Sequence, residues 1–214
     1  MYLASAIRPD ISFVVCKLNR FVSNPGDDHW RALERVMRYL KGTMSYGIRY
    51  TGHPKVLEDY CDANWTSDAD ELYATSGYVF SLGDGAVSWQ SCKQTILTKS
   101  TMEVELIALD TARSEAEWLR DVLINLPVVE KPIPAISMNY DNQTVITKVN
   151  SSKDNMKSIR HVKRRLKSVR KLRNSRVIAL DYVHTSNNLA NQFTKGLSRN
   201  VIESASREMG LRPT

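Results

Sequence analysis

Apolar residues recur at three- and four-residue steps in the first fifty positions, and this spacing predicts two amphipathic helices. The first helix begins near Pro9 and ends before the Pro-Gly break at 25–26. The second is capped by Asp27 or Asp28 and ends at Gly42. Each helix needs a partner surface to bury its apolar stripe, which in the first one consists of Ile11, Val14, Val15, Leu18 and Val22.

The pattern changes after residue 52, where short apolar runs alternate with turn signals. These runs predict three strands, the second and third joined by a hairpin turn at 83–85, followed by a long helix over 101–126. Strands and helices then alternate. The resulting order, β-β-β-α-β-α-α-β-α-α, predicts an α/β fold with a mixed sheet and helices on its faces. The predicted strands span 56–62, 76–82, 86–90, 136–141 and 177–184, and three further helices are predicted over 142–149, 188–195 and 201–209.

Positive charge is concentrated in one segment. The chain carries 30 basic and 23 acidic residues, net +7, yet residues 153–176 alone contain eleven Lys or Arg and one acid. An apolar stripe runs through this segment at helical spacing, so it is either a solvated amphipathic helix, the commoner use of such a run, or a helix that binds phosphates. The candidate nucleic-acid contacts are Arg160, Lys163, Arg164, Arg165, Lys167, Arg170 and Lys171.

Composition excludes several other classes. Hydrophobic residues make up 42% and charged residues 25% of the 214 positions, which is typical of a folded globular chain. No apolar run is long enough to predict a transmembrane helix, and the first ten residues lack the pattern of a secretory signal. Three well-separated cysteines and four histidines without a zinc-type spacing argue against disulfides and a zinc site.

Two aspartates are candidates for metal binding. Asp62 and Asp141 are predicted at the ends of the first and fourth strands, where the sheet's strand order switches and ligands bind in open α/β folds. Two carboxylates there repel each other unless a cation lies between them, and Mg²⁺ suits oxygen ligands of this kind. The alternative is that each Asp caps a turn or a helix, which is the commoner role of either one alone.

The long helix adds a third candidate. Glu103 and Glu105 are two residues apart, so at 3.6 residues per turn they point about 200° apart and cannot face one site. Glu105 shares its face with the alanines and leucines that pack on the sheet, whereas Glu103 is expected on the solvent face. A carboxylate in a helix–sheet interface is costly unless it is paired or bound to a metal, so Glu105 is the candidate.

Several short motifs, in this order and spacing, resemble the C-terminal part of the Pol polyprotein of plant copia-type retrotransposons. Residues 1–52 resemble the tail that follows the reverse-transcriptase core, as in the run at 2–11. Residues 53–198 resemble a ribonuclease H domain, and 199–214 form a C-terminal helix and tail. The motifs are Asp62-Ala63-Asn64-Trp65, Thr75-Ser76-Gly77-Tyr78-Val79-Phe80, Ser100-Thr101-Met102-Glu103-Val104-Glu105, Asp141-Asn142-Gln143, Arg160-His161-Val162 and Leu189-Ala190-Asn191-Gln192-Phe193-Thr194-Lys195.

This resemblance implies a five-stranded mixed sheet of the ribonuclease H type and cleavage of the RNA strand of RNA–DNA hybrids by two-metal hydrolysis. It implies Mg²⁺ as cofactor, with Mn²⁺ as a substitute, and matches the family's four acids to Asp62, Glu105, Asp141 and position 191. Here position 191 is Asn191, whose uncharged amide is a weak ligand. The resemblance therefore leaves two interpretations: an active ribonuclease H, or a weakened relic that binds nucleic acid without efficient cleavage.

The same resemblance implies partners and a location. The partners are an RNA–DNA hybrid and the reverse-transcriptase core of the parent polyprotein, and a third interpretation is that the chain is only a structural fragment of that larger polymerase. The expected location is the cytoplasm, in virus-like particles, and then the nucleus. His184, after the last strand, is either a proton shuttle or, more commonly for such a residue, a surface histidine.

Overall fold

A computed structural model describes residues 2–52, 56–65, 73–127, 129–151 and 160–214. Within these ranges the protein is a layered α/β structure whose strands and helices alternate as the sequence pattern predicts. The strands are β1 (Tyr46–Ile48), β2 (Glu58–Asn64), β3 (Thr75–Leu82), β4 (Gly85–Lys93), β5 (Ile136–Tyr140), β6 (Ile178–Tyr182) and β7 (Leu211–Pro213). The helices are α1 (Tyr2–Ala6), α2 (Ser12–Asn19), α3 (Asp27–Gly42), α4 (Thr101–Asn125), α5 (Gln143–Asn150), α6 (Arg160–Asn174) and α7 (Arg199–Glu208).

Five strands form the central sheet in the order β4-β3-β2-β5-β6. β4, β3 and β2 are antiparallel neighbours, whereas β2, β5 and β6 run parallel. Helix α4 covers one face, and its buried Ala112 and Ala116 allow close approach to the sheet. The main core lies between the helices and the strands, around Phe80, Met138 and Tyr140. The α/β class and the mixed five-stranded sheet are therefore confirmed.

The N-terminal helical extension packs against the β4 edge of the sheet. The Trp89 indole N–H on β4 donates to the Ala4 carbonyl at 2.7 Å. Arg20, just after α2, donates to Thr75 Oγ1 at 2.9 Å. Trp89 lies on the edge strand β4 and Thr75 on its neighbour β3, so the extension is fastened to two strands of the sheet.

The ends of the chain meet in a small sheet that the sequence pattern did not predict. β1 and β7 pair antiparallel, with Gly47 opposite Arg212. The buried Met209, before β7, belongs to a second hydrophobic cluster with Val79 and Ala86 of the central sheet. Three-residue strands leave too little periodicity to detect. Because of this pairing, segments 1–52 and 199–214 contact each other. The domain boundary expected after residue 52 lies next to residues 53–55, which are outside the described residues.

Several apolar side chains of the extension remain exposed. They surround a groove of about 630 Å³ formed by α1, α2 and α3. Among the described residues of the extension, Ala4, Ile11 and Val36 form the buried core. The expectation that these helices need a further partner surface thus stands for the exposed part of their apolar faces, which includes Tyr2, Val22, Trp30 and Met37.

Some predicted elements differ from the structure. The expected helix over 188–195 is a short 3₁₀ helix, Leu189–Phe193, because Asn188 caps it through its own side chain. Glu103, expected on the solvent face, is buried, so that expectation is wrong. Its carboxylate accepts a hydrogen bond from the Lys99 N–H at 3.0 Å while its own N–H donates to Ser100 Oγ, which folds the side chain over the first turn of α4.

Gly77 sets how closely the 3₁₀ helix Leu189–Phe193 approaches β3. A Cβ at Gly77 would lie 2.5 Å from Phe193 Cβ and 2.9 Å from Thr194 Cγ2. We expect Gly77→Ala to destabilise the chain by about 2–3 kcal/mol, because the segment after Leu189 must move outward. Urea unfolding measures this change.

The matched control for that substitution is Gly196→Ala, since a Cβ at Gly196 meets nothing within 4 Å. This variant should unfold within about 0.5 kcal/mol of the unsubstituted chain. Equal stabilities of the two variants would contradict the close approach at Gly77.

Candidate active site

Asp62 and Asp141 lie side by side at one end of the sheet. The parallel register pairs Cys61 of β2 with Tyr140 of β5, and these aspartates are the next residue along each strand. Neighbouring strands are about 4.8 Å apart, so the two backbones hold the carboxyl groups near each other. Asp62 lies two residues before the end of β2, which continues to Asn64, whereas Asp141 directly follows β5.

Glu105 reaches the same end of the sheet from helix α4. It is only 8% exposed and accepts a hydrogen bond from the Tyr140 hydroxyl at 2.6 Å. Tyr140 is itself fully buried. The helix-phase argument that chose Glu105 as the inward-facing acid is therefore consistent with where the side chain lies.

The pKa values of Glu105 and Asp62 are both raised. The pKa of Glu105 is raised to about 7. Burial is the largest cause, the hydrogen bond from Tyr140 acts in the opposite direction, and the charges of Asp62 and Asp141 add to the increase. Burial also raises the pKa of Asp62, against the opposing effect of Lys195 and Thr194. Buried carboxylates close to one another repel when ionised, and a bound cation would reduce this repulsion.

Two residues after the 3₁₀ helix contact Asp62 directly. The Thr194 hydroxyl donates a short hydrogen bond to Asp62 Oδ2, and Lys195 Nζ lies 3.6 Å from the same oxygen. Sequence reasoning did not assign a role to Thr194, Lys195 or Tyr140. The available signal for the first two was their place in the Leu189–Lys195 motif; nothing in the sequence distinguished Tyr140 from a core tyrosine.

Two of the three acids border an open groove. Glu105 and Asp141 border a groove of about 430 Å³, together with polar residues at the start of α5 and Tyr182 of β6. Asn142 Oδ1 caps α5 by accepting from the Val145 N–H at 3.1 Å. Among the residues that the structure describes, no three His, Cys, Asp or Glu side chains form a metal-binding cluster.

Asn191 is turned toward a different neighbour. Its side-chain nitrogen donates to the Thr185 carbonyl at 2.5 Å, while its buried Oδ1 has no hydrogen-bond partner. It lines a separate small cavity of about 110 Å³ and not the groove bordered by Glu105 and Asp141. The place of Asn191 among the metal ligands stays a prediction.

Helix α6 has the predicted amphipathic character. Its apolar residues Val162, Leu166, Val169 and Leu172 are buried; Lys153, Lys157 and Ile159 of the charged segment lie outside the described residues. Five candidate phosphate contacts are exposed and form what we call the basic stripe: Arg160, Lys163, Arg164, Lys167 and Lys171.

The two other candidate contacts on α6 have intramolecular partners. Arg165 Nε lies 3.3 Å from Asp110 Oδ2 on α4, and Arg170 donates to the Lys148 carbonyl at 3.0 Å. Both therefore fasten α6 to neighbouring helices. Helical periodicity alone does not separate these arginines from the basic stripe, because their partners come from α4 and α5.

His184 is exposed and takes part in a local turn. Its Nδ1 lies 2.8 Å from Ser186 Oγ and accepts a hydrogen bond from the Ser186 N–H at 3.3 Å. The ring thus caps the short 3₁₀ helix Thr185–Asn187 that follows β6. A role as proton shuttle stays a prediction.

The raised pKa of Glu105 predicts pH-dependent stability without metal. Its folded-state pKa, about 7, exceeds the ordinary value of 4.5, so the fold favours the neutral form and stability falls as pH rises through this window. In EDTA, we expect the Glu105→Gln variant to lose about 1–3 kcal/mol less than the unsubstituted chain between pH 5 and pH 8. Urea unfolding at several pH values measures this.

Glu117→Gln serves as the control for this titration, because Glu117 lies on the same helix with its side chain half exposed. Its stability profile should follow that of the unsubstituted chain. Parallel profiles for the Glu105 variant and the unsubstituted chain would show that Glu105 titrates normally.

The strand order of the sheet, three antiparallel strands followed by two parallel ones, with acids at the β2–β5 end, defines an α/β protein with a five-stranded mixed sheet. No family model matches the sequence. The chain is 34% identical over 211 residues to the Retrovirus-related Pol polyprotein from transposon RE2 of Arabidopsis thaliana, which covers 98% of this chain and 14% of that protein. Over nearly its whole length, the chain is similar to a segment of the Pol polyproteins of plant copia-type retrotransposons.

Other comparisons cover different parts of the chain. The Secreted RxLR effector protein 161 of Plasmopara viticola is 45% identical over 121 residues, 56% of this chain and 84% of that protein. Among solved structures, LC11-RNase H1 is 15% identical and covers 71% of this chain and 98% of that one, with a TM-score of 0.48. The chain spans about one seventh of the Pol relative from transposon RE2.

Proposed function

We propose that this chain is the ribonuclease H part of a retrotransposon Pol polyprotein and cleaves the RNA strand of RNA–DNA hybrids. The observation that carries the proposal is the register of β2 and β5, which sets Asp62 beside Asp141 within electrostatic reach of Glu105. The similarity of nearly the whole chain to a segment of a Pol polyprotein supports it. Among the described residues no helix has the length and apolar character needed to cross a membrane.

The three acids match a divalent cation in ligand type, although they do not form a metal-binding cluster among the described residues. Carboxylate oxygens are the ligands that Mg²⁺ and Mn²⁺ take. The raised pKa values of Asp62 and Glu105 reflect burial of negative charge, which such an ion would neutralise. Asp62, Glu105 and Asp141 are the residues that would hold it. A divalent cation bound there would supply Lewis-acid chemistry, namely activation of a water and stabilisation of charge on a leaving 3′ oxygen.

The protein's own contacts prepare these acids. Thr194 donates to one Asp62 oxygen, and Lys195 keeps a positive charge 3.6 Å from it, so both favour the ionised form that binds cations. Tyr140 does the same for Glu105 through its hydroxyl. Asp62 and Glu105 are thereby held in place at the end of the sheet before substrate arrives.

The basic stripe of α6 supports binding of a nucleic-acid backbone. Five exposed cations on one helix repel one another, and a row of phosphates neutralises them while releasing counterions. Selection of a hybrid would rest on its A-like shape and 2′-hydroxyls rather than on base edges, so sequence preference should be slight.

Incubation of the purified chain with an RNA–DNA hybrid labelled on the RNA strand tests the proposal. We expect cleavage of that strand with Mg²⁺ or Mn²⁺, none with EDTA, and none of RNA–RNA or DNA–DNA duplexes. Hybrid binding without cleavage under all these conditions would favour the second candidate, a catalytically weakened relic. The observation that favours this candidate is the uncharged Asn191, whose amide donates to Thr185.

We also infer that the apolar face of α1, α2 and α3 binds the reverse-transcriptase core of a longer polyprotein. The exposed side chains around the 630 Å³ groove support this, as does the small share of its Pol relative that the chain spans. The preceding segment of the transposon RE2 polyprotein, expressed separately, should co-purify with this chain and fail to do so after Trp30→Glu. Equal recovery with both would contradict the inference.

A further inference from the structure

The loop 184–188, between β6 and the 3₁₀ helix Leu189–Phe193, is held by asparagine side chains. The Asn191 amide donates to the Thr185 carbonyl at 2.5 Å. The same carbonyl accepts the Asn188 N–H at 3.3 Å. Asn191 is only 9% exposed, so this bond lies in a partly water-excluded setting where a donor and an acceptor depend on each other.

The 3₁₀ helix is in turn fastened to the central sheet. Asn188 Nδ2 donates to the Cys61 carbonyl of β2 at 3.0 Å, and Asn188 Oδ1 accepts the Ala190 N–H at 3.0 Å. Thr194 adds the bond to Asp62 described above. Asn191 therefore projects from an anchored segment onto the loop that begins at His184.

Only one half of the Asn191 amide is used. Its nitrogen donates to Thr185, whereas its oxygen is buried without a hydrogen-bond partner. An ionised carboxylate of the same shape has no N–H and would set two acceptors against each other at this distance. The position therefore selects a donor, although a buried and unpartnered oxygen accompanies it.

We propose that Asn191 is a positioning residue: its side-chain N–H holds Thr185, and through it the loop that carries His184, against the 3₁₀ helix. The hydrogen bond from the amide to Thr185 does not require a bound metal ion. The inference concerns the loop and does not rest on the proposed nuclease activity.

Asn191→Asp and Asn187→Asp make the same chemical change in two neighbouring places and form the test. Asn187 is exposed and uses its oxygen, which accepts from Ser186 Oγ at 3.0 Å, so an aspartate keeps that bond. We expect Asn191→Asp to lower Tm by roughly 3–8 °C and Asn187→Asp by about 1 °C or less.

Amide hydrogen exchange separates a local effect from a general one. In Asn191→Asp the backbone N–H groups of Asn187 and Asn188, which bond within the loop, should exchange about tenfold faster or more. Those of helix α3, which is mostly exposed and opens locally, should keep their rates under the same conditions. A uniform increase across the chain would overturn the proposal, as would equal behaviour of the two aspartate variants.

Asn191→Ala keeps the test decisive if the aspartate variant does not fold. Alanine removes the donor without adding charge, so loop exchange should still rise, with a smaller loss of Tm. The NMR signal of the His184 ring should also move in this variant, because residue 191 no longer holds the loop through the Thr185 carbonyl. An unmoved ring signal together with unchanged loop exchange would show that Asn191 holds nothing.

Discussion

Asp62→Asn is expected to reduce cleavage of an RNA–DNA hybrid by roughly 10³-fold or more, equivalent to about 4 kcal/mol of transition-state stabilisation. The substitution keeps the shape of the side chain and an oxygen that accepts the Thr194 hydroxyl, so the strand and its neighbours should stay in place. It removes the negative charge beside Asp141, which a divalent cation needs. Single-turnover cleavage with Mg²⁺ measures the loss.

A matched control lies three residues earlier in the same strand. Asp59 is fully buried, and burial raises its pKa well above the usual range, which favours its neutral form. Asp59→Asn therefore replaces one neutral polar group with another, away from the groove, and should keep most of the cleavage rate. Equal losses in both variants would mean that strand β2 had been damaged, and an unaffected Asp62 variant would contradict the proposed site.

Removal of four cations from the basic stripe is the second large effect. Lys163, Arg164, Lys167 and Lys171 changed together to Ala should weaken binding of a hybrid by roughly 10²–10³-fold at low salt. The slope of log affinity against log salt should become shallower by about 3–4, since each phosphate contact contributes about one. Fluorescence anisotropy at several salt concentrations measures both quantities.

Helix α3 supplies a control with the same change in net charge. Arg31, Arg35, Arg38 and Lys41 are exposed there, on the N-terminal extension. Their replacement by Ala should leave the salt slope close to that of the unsubstituted chain. Similar losses in the two fourfold variants would show that binding follows net charge alone and that α6 is a solvated face.

Local patterns were sufficient for most of the fold. The apolar period of helix α4 gave its extent and singled out Glu105, because burial of one helical face is a property of the sequence itself. The short strands and the 83–85 turn followed from alternation and from glycine. β1 and β7 were missed, since a three-residue strand is stable only through its distant partner.

The site depended more on neighbours than on pattern. Glu103 and Glu105 are both buried, and only the cap at Ser100 explains the first of them. Arg165 and Arg170 look the same in sequence as the basic stripe but are paired within the fold. Contacts with α4 and α5 distinguish these two arginines from the basic stripe, and their partners Asp110 and Lys148 lie too far along the chain for a local sequence pattern to reveal.

The sequence by itself therefore determined most of the elements, the basic helix and the three candidate acids, since these follow from residue type and short-range period. Only the tertiary structure decided that Asp62 lies beside Asp141, that Thr194 and Lys195 contact Asp62, and that Asn191 turns to Thr185. Such contacts join positions far apart along the chain. Strand register and helix docking set them, and both arise from packing of the whole molecule rather than from any one segment.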